Sequence, residues 1–169
     1  MDVYEAVRTV LAVRQYQDKP VPPEVVARIL EAGHLTASSM NMQPWHFILV
    51  NDRPTLQKMA AIVTSGPYIA EAPLAVVVAI EATEYAVSDA SRAIQSMVLT
   101  AWSEGVGSNW TGFTGIDALK ALLGIPDALQ VLAVIPFGYP VKKIGLGHKK
   151  RKPISEVVHR GKFGNPFKL

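Results

Sequence analysis

The chain has 169 residues, 49% of them hydrophobic and 18% charged, which fits one compact domain and excludes a disordered chain. There are no cysteines, so disulfides, iron–sulfur clusters, zinc ribbons and thiol catalysis are excluded together. The net charge of +3 conceals an asymmetry, because residues 1–141 carry −5 and residues 142–169 carry +8.

In chain order, Val3, Ala6, Val7, Val10 and Leu11 recur at helical spacing behind Asp2 as N-cap, predicting a helix within residues 2–14. With Asp2 and Glu5 at its start, this end lacks the basic-then-apolar layout of a signal peptide. Pro23 and Glu24 open a second helix, with Val25, Val26, Ile29, Leu30 and Ala32 on its apolar face and Gly33 and His34 as its exit. A polar loop from Thr36 to Gln43 leads to a strand, Trp45 to Val50. Asp52 and Pro54 open a short helix over 53–63, and Pro73 precedes Leu74 to Ile80, an unbroken apolar run that reads as a strand covered on both faces.

Residues 84–104 form the longest helical pattern, on Ala86, Val87, Ala90, Ile94, Met97, Val98, Ala101 and Trp102. A helix this apolar is expected to be buried nearly all round, in the core or against a second subunit. Gly105 to Gly107 ends it; a short helix over 115–123 and a third apolar strand over 129–137 follow. No apolar run reaches the roughly 18 residues of a membrane span. The expected fold is α+β, one unit over 1–169 with the basic segment 142–169 as part of it, and a sheet sandwiched by helices.

The chemistry begins with exclusions. His34, His46, His148 and His159 are scattered without ligand spacing, so no metal site is expected. No nucleophile elbow exists, and Gly105-Val106-Gly107-Ser108-Asn109-Trp110 follows a helix and lacks the third glycine of a dinucleotide fingerprint. Three stretches remain. The loop Ala37 to Trp45 is dense in hydroxyl and amide groups, which either satisfy their own backbone or form a hydrogen-bonding rim for a polar heterocycle. The Gly105 to Gly112 stretch either caps a helix or lets backbone approach a flat ligand. Lys149 and Arg151, two apart on an extended segment with Arg14 far upstream, either point the same way and grip a phosphate or belong to a solvated terminus.

Together these stretches resemble the nitroreductase family of FMN-dependent oxidoreductases. Ser38-Ser39-Met40-Asn41-Met42-Gln43-Pro44-Trp45 is similar to that family's S-x-x-N-x-Q-P-W signature. Val13 to Tyr16 resembles the end of its R-R-S-x-R-x-Y/F motif, and Gly138-Tyr139-Pro140 followed by Lys149 to Pro153 its closing G-Y-P…K-x-R-x-P. The resemblance implies a three-layer sandwich with a central, mostly antiparallel sheet, and an intertwined homodimer with two FMN sites at its interface. It implies a phosphate held by Arg14, Lys149 and Arg151 of one chain, Ser38, Ser39 and Asn41 from the other, and Trp110, Thr111 and Gly112 beside the ring. Electrons would pass from NAD(P)H to an electron-poor acceptor such as a nitroaromatic or quinone in a ping-pong cycle, with FMN and no protein side chain as the catalytic group. The expected contact between copies includes Ile94, Met97, Val98 and Ala101.

One departure stands out. Val10-Leu11-Ala12 replaces the family's Arg-Arg-Ser, positions that in relatives contact the phosphate and ribityl chain. It motivates an alternative: a non-redox paralogue that stores, senses or transforms FMN. The basic segment also raises nucleic-acid binding, but it lacks interleaved aromatics until Phe163 and Phe167. A cytoplasmic protein with small-molecule substrates, and neither nucleic acid nor membrane as partner, is expected.

Overall fold

The structure is a computed structural model describing residues 1–113, 115–142 and 149–167. Of the basic segment read from the sequence, Lys143, His148 and Lys168 lie outside the described residues. Helix α1 (Val3–Thr9) begins where the Asp2 carboxylate accepts from the Glu5 N–H at 2.7 Å. Helix α2 (Pro23–His34), strand β1 (Trp45–Val50), helix α3 (Arg53–Ile62) and strand β2 (Leu74–Ile80) follow. Then come helix α4 (Ala86–Ser103), the two-residue strand β3 (Gly107–Ser108), helix α5 (Leu119–Leu123), strand β4 (Gln130–Gly138) and the single turn α6 (Ile154–Val157).

The sheet runs β1-β2-β4-β3, every pair antiparallel. Strand β2 is buried throughout, and its side chains alternate between two cores. Leu74, Val76, Val78 and Ile80 join α2 and α4 on one face. Ala75, Val77 and Ala79 join α3 and α5 on the other. The result is three layers, as an unbroken apolar strand requires when both faces must leave water. Among the described residues no helix is long and apolar enough to cross a membrane.

Two sequence expectations are corrected. The first helix ends at Thr9, not near residue 14, and Val10 already has extended backbone. The chain then runs along the sheet edge, where the Val13 N–H donates to Ser108 O at 2.9 Å and the Gln17 N–H to Tyr139 O at 2.8 Å. Gly33 and His34 are the last two residues of α2, the exit expected from the sequence. Gly33's missing side chain also lets α4 come close, since a Cβ there would stand 2.9 Å from Met97 Cγ. The second correction concerns α4, which is two-faced within the single protomer. Ala86, Asp89, Ala90, Ala93, Ile94, Met97 and Ala101 are buried inside the protomer, whereas Val87 and Gln95 are exposed. Ile94, Met97 and Ala101 thus fill the protomer's own core, which removes them from the expected contact between copies.

Candidate functional site

The Thr36–Gln43 loop sits between α2 and β1 and contains a 3-10 turn, Ser39–Asn41. Three of its non-glycine residues are left-handed: Met40, Asn41 and Gln43, with φ of 51°, 55° and 50°. Such backbone is disfavoured for side-chain-bearing residues and clusters where structure serves function. The Ser38 hydroxyl accepts from the Gln43 N–H at 2.9 Å, and the Gln43 side-chain amide donates to Asn41 O at 3.1 Å. Ser39 turns inward: its N–H donates to Asp89 Oδ2 and its Oγ to Asp89 Oδ1, both at 3.0 Å. Asn41 is exposed, so of the three polar side chains it is the one presented outward, while the two serines hold the loop.

Arg14 projects from the extended segment into a groove of ≈ 390 Å³ that Lys142 also lines, with Ala12, Val13, Gln15 and Pro140 completing it. A second groove, ≈ 260 Å³, is lined by Val10, Leu11, Ala12, Val98, Asn109 and Trp110 among others. Ala12 lines both. One is cationic, the other largely apolar with amide groups at one side. Gly107 makes this layout possible, because a side chain there would collide with Val13 and push the segment off the sheet edge.

Trp110 and Gly112 flank a residue that faces away. Thr111 is 1% exposed. Its N–H and C=O exchange 3.0 Å hydrogen bonds with Val134, and a Cβ on Gly66 would collide with its side chain. Thr111 is therefore corrected from ring-side contact to sheet anchor, and Gly112, buried beside Ile116 and Val134, lines neither groove, which leaves Trp110. Asn109, which sequence reasoning passed over, donates to the Tyr68 hydroxyl and, at 3.0 Å, to Trp110 O.

Lys149 is not in Arg14's groove. Its Nζ donates to Val7 O at 2.7 Å, at the carboxyl end of the helix that leads into Arg14's segment. Partial burial, and then the charge of Arg151, lower its pKa from the ordinary lysine value. Arg151 is exposed and donates to Lys150 O at 3.0 Å. The structure thus brings Arg14 together with Lys142, which the sequence reading missed although it sits two residues after the Gly138-Tyr139-Pro140 motif.

A further groove, ≈ 410 Å³ between α2 and the β1 edge, has no titratable side chain in its lining and offers no chemistry.

Fold and grooves define a three-layer α+β protein with a cationic groove and a largely apolar one that share Ala12 in their linings. The sequence profile of the nitroreductase family matches residues 8–83 and 64–139. A protein of Methanothermobacter thermautotrophicus, provisionally named NADH dehydrogenase/NAD(P)H nitroreductase, is 35% identical over 154 residues, covering 86% of this chain and 81% of its own. One of the same provisional name from Archaeoglobus fulgidus is 37% identical over 162 residues, covering 90% and 93%. A provisionally named nitroreductase from Desulfovibrio desulfuricans, solved in complex with FMN, superposes with a TM-score of 0.84 at 29% identity, covering 99% of each chain. The chain belongs to the nitroreductase family of oxidoreductases.

Proposed function

We propose that the protein is a cytoplasmic, FMN-dependent oxidoreductase that passes electrons from NAD(P)H to an electron-poor acceptor such as a nitroaromatic or quinone, in a ping-pong cycle. The observation that carries this reading is the pair of grooves, one cationic and one largely apolar, that share Ala12 in their linings. FMN has the same polarity, a phosphate of nearly two negative charges at one end and a flat heterocycle at the other. Arg14 and Lys142 supply charge for the phosphate, with arginine able to form two parallel bonds. Lys149 and Arg151 add positive charge from the adjoining segment. Val10, Leu11 and Trp110 offer apolar surface for the ring.

The replaced Val10-Leu11-Ala12 motif is compatible with this fit because the charge it lacks is present in the neighbouring groove. Bound FMN would supply the hydride chemistry. The chain's residues would hold the phosphate, orient the ring and exclude water from its apolar face. The reading includes a homodimer in which Asn41 of one copy, on a loop held by Ser38 and Ser39, serves the cofactor held mainly by the other. Exposed Val3, Tyr4 and Val7 on α1 and Val87 on α4 supply apolar surface for that contact.

Reconstitution with FMN and an anaerobic spectrum tests the reading. The expected result is a yellow dimer whose visible flavin band bleaches on adding NADH or NADPH and returns with a quinone. A yellow protein inert to both nicotinamides replaces the oxidoreductase by a flavin store or sensor. A protein that takes up no FMN ends the proposal.

A further inference from the structure

The Ser38–Gln43 loop holds an unfavourable shape for which its own backbone bonds give little support. Those bonds are Asn41 N–H to Ser38 O at 3.1 Å and Met42 N–H to Ser39 O at 3.0 Å, ordinary for one tight turn. Three left-handed non-glycine residues need an external brace.

Asp89, near the start of α4, is 0% exposed, the one fully buried carboxylate among the described residues. One oxygen accepts from the Ser39 N–H, and the other from the Ser39 hydroxyl and the Arg92 guanidinium. A carboxylate removed from water is costly unless its lone pairs are met. Here two donors from the loop, one arginine and the amino end of α4 meet it. Its buried neighbours along the helix, Ala86, Ala90 and Ala93, are all small and apolar. The charge therefore sits where packing alone would be served by another alanine.

We propose that Asp89 is a positioning residue for the cofactor site: by fastening Ser39 to α4 it holds the loop in the conformation that presents the Asn41 amide outward. The inference rests on the flavin reading above, in which that amide meets the ring edge. Asp89 touches neither cofactor nor substrate and acts through the loop.

The test uses the full chain with Asp89→Ala, Ser39→Ala, Asn41→Ala and the two double variants that pair Asn41→Ala with each of the others. Two quantities are read: amide hydrogen exchange across 39–43 in cofactor-free protein, and the FMN Kd from flavin fluorescence. Asp89→Ala and Ser39→Ala are each expected to quicken exchange at Asn41 and Gln43 and to raise the Kd, by roughly tenfold for Asp89→Ala. Neither should weaken FMN further once Asn41 is alanine, since both act through that side chain. Asp89→Asn, which keeps an acceptor for Ser39, should recover much of the affinity. Unchanged exchange in both variants overturns the brace whether or not FMN binds. Kd effects that add to that of Asn41→Ala, or a lowered Tm with unchanged Kd, reduce Asp89 to a fold-stabilising residue and overturn the proposal. Wild-type protein that ignores FMN overturns the flavin reading instead, and is distinguished by the exchange data. If Asp89→Ala does not fold, Ser39→Ala, which removes one hydroxyl, decides the same questions.

Discussion

Lys149 reaches across the chain to the Val7 carbonyl, 2.7 Å away, and meets an α1 acceptor that its own short helix leaves without an intrahelical donor. The contact ties the basic segment to the helix that feeds the Arg14 groove.

Lys149→Met should therefore loosen the segment rather than unfold the protein. Exposed charge–helix-end contacts contribute about 0.3–1 kcal/mol, so the denaturation midpoint should shift little. Tryptic cleavage after Lys150 and Arg151 should quicken several-fold. Equal cleavage rates in variant and parent would show that the segment is anchored elsewhere.

The phosphate end is probed by Arg14→Ala and Lys142→Ala. Arg14→Ala should cost about 1.5–3 kcal/mol of FMN affinity, the range for bonds to charged groups, and Lys142→Ala less. Riboflavin, which lacks the phosphate, should bind parent and variants alike. If Arg151→Ala weakens FMN more than Lys142→Ala does, the phosphate lies nearer the basic segment than the groove indicates.

Tyr16 links alkaline stability to the same extended segment. Its hydroxyl donates to Val13 O at 2.7 Å, and burial, with the neighbouring Tyr68 adding to it, drives its pKa far above the ordinary phenol value. A value raised on folding means a contribution that is whole below about pH 10 and is lost as the pH rises further. Tyr16→Phe should cost about 1–2 kcal/mol at neutral pH and show a flatter loss of stability above pH 10 than the parent. Parallel alkaline limbs in urea melts would exclude Tyr16 as the cause.

Asp52 acts with the opposite sign. Its hydrogen bonding to Thr55, by side chain and backbone, holds its carboxyl below the usual range. A value lowered on folding stabilises above the unfolded carboxylate pKa and fades as the pH falls through the folded one. Asp52→Ala should lower Tm at pH 7, and the gap to the parent should close in acid. A gap independent of pH would assign the loss to something other than the charge.

Gly107→Ala tests whether the edge segment and the cofactor site are one unit. The added methyl must displace Val13, and overpacking of this kind costs about 1–3 kcal/mol. Because Val13 precedes Arg14, FMN affinity should fall with stability. Loss of stability alone would uncouple them.

Much of this molecule was legible in the residues. Strands β1 and β2 begin and end where their apolar runs do, since proline and polar residues bracket them. The extended course of residues 10–16 was not. Val10 and Leu11 continue the helical spacing of Val3 and Val7, and only pairing with Ser108, almost a hundred residues away, overrides it. Of the proposed cofactor residues, the Asn41 loop was visible as a motif and Arg14 as its surviving arginine. Thr111 misled because a side chain's facing depends on the Val134 pairing, which local sequence does not carry. Asp89 was not singled out, because its burial involves the distant Ser39 loop, which local sequence does not carry.

The alternation of β2 between two cores has a further consequence. A strand that is apolar on both faces gives polarity no say in its alignment, since a slip by one residue trades valines for valines and alanines. Alignment must then come from irregularities. The pairing of β2 with β4 shifts between Val78 and Ala79, skipping Leu132, and Pro136, which has no N–H to donate, lies opposite Ala75. Together these two features act like a key and its notch: they give the most featureless segment of the chain one position in which to lock.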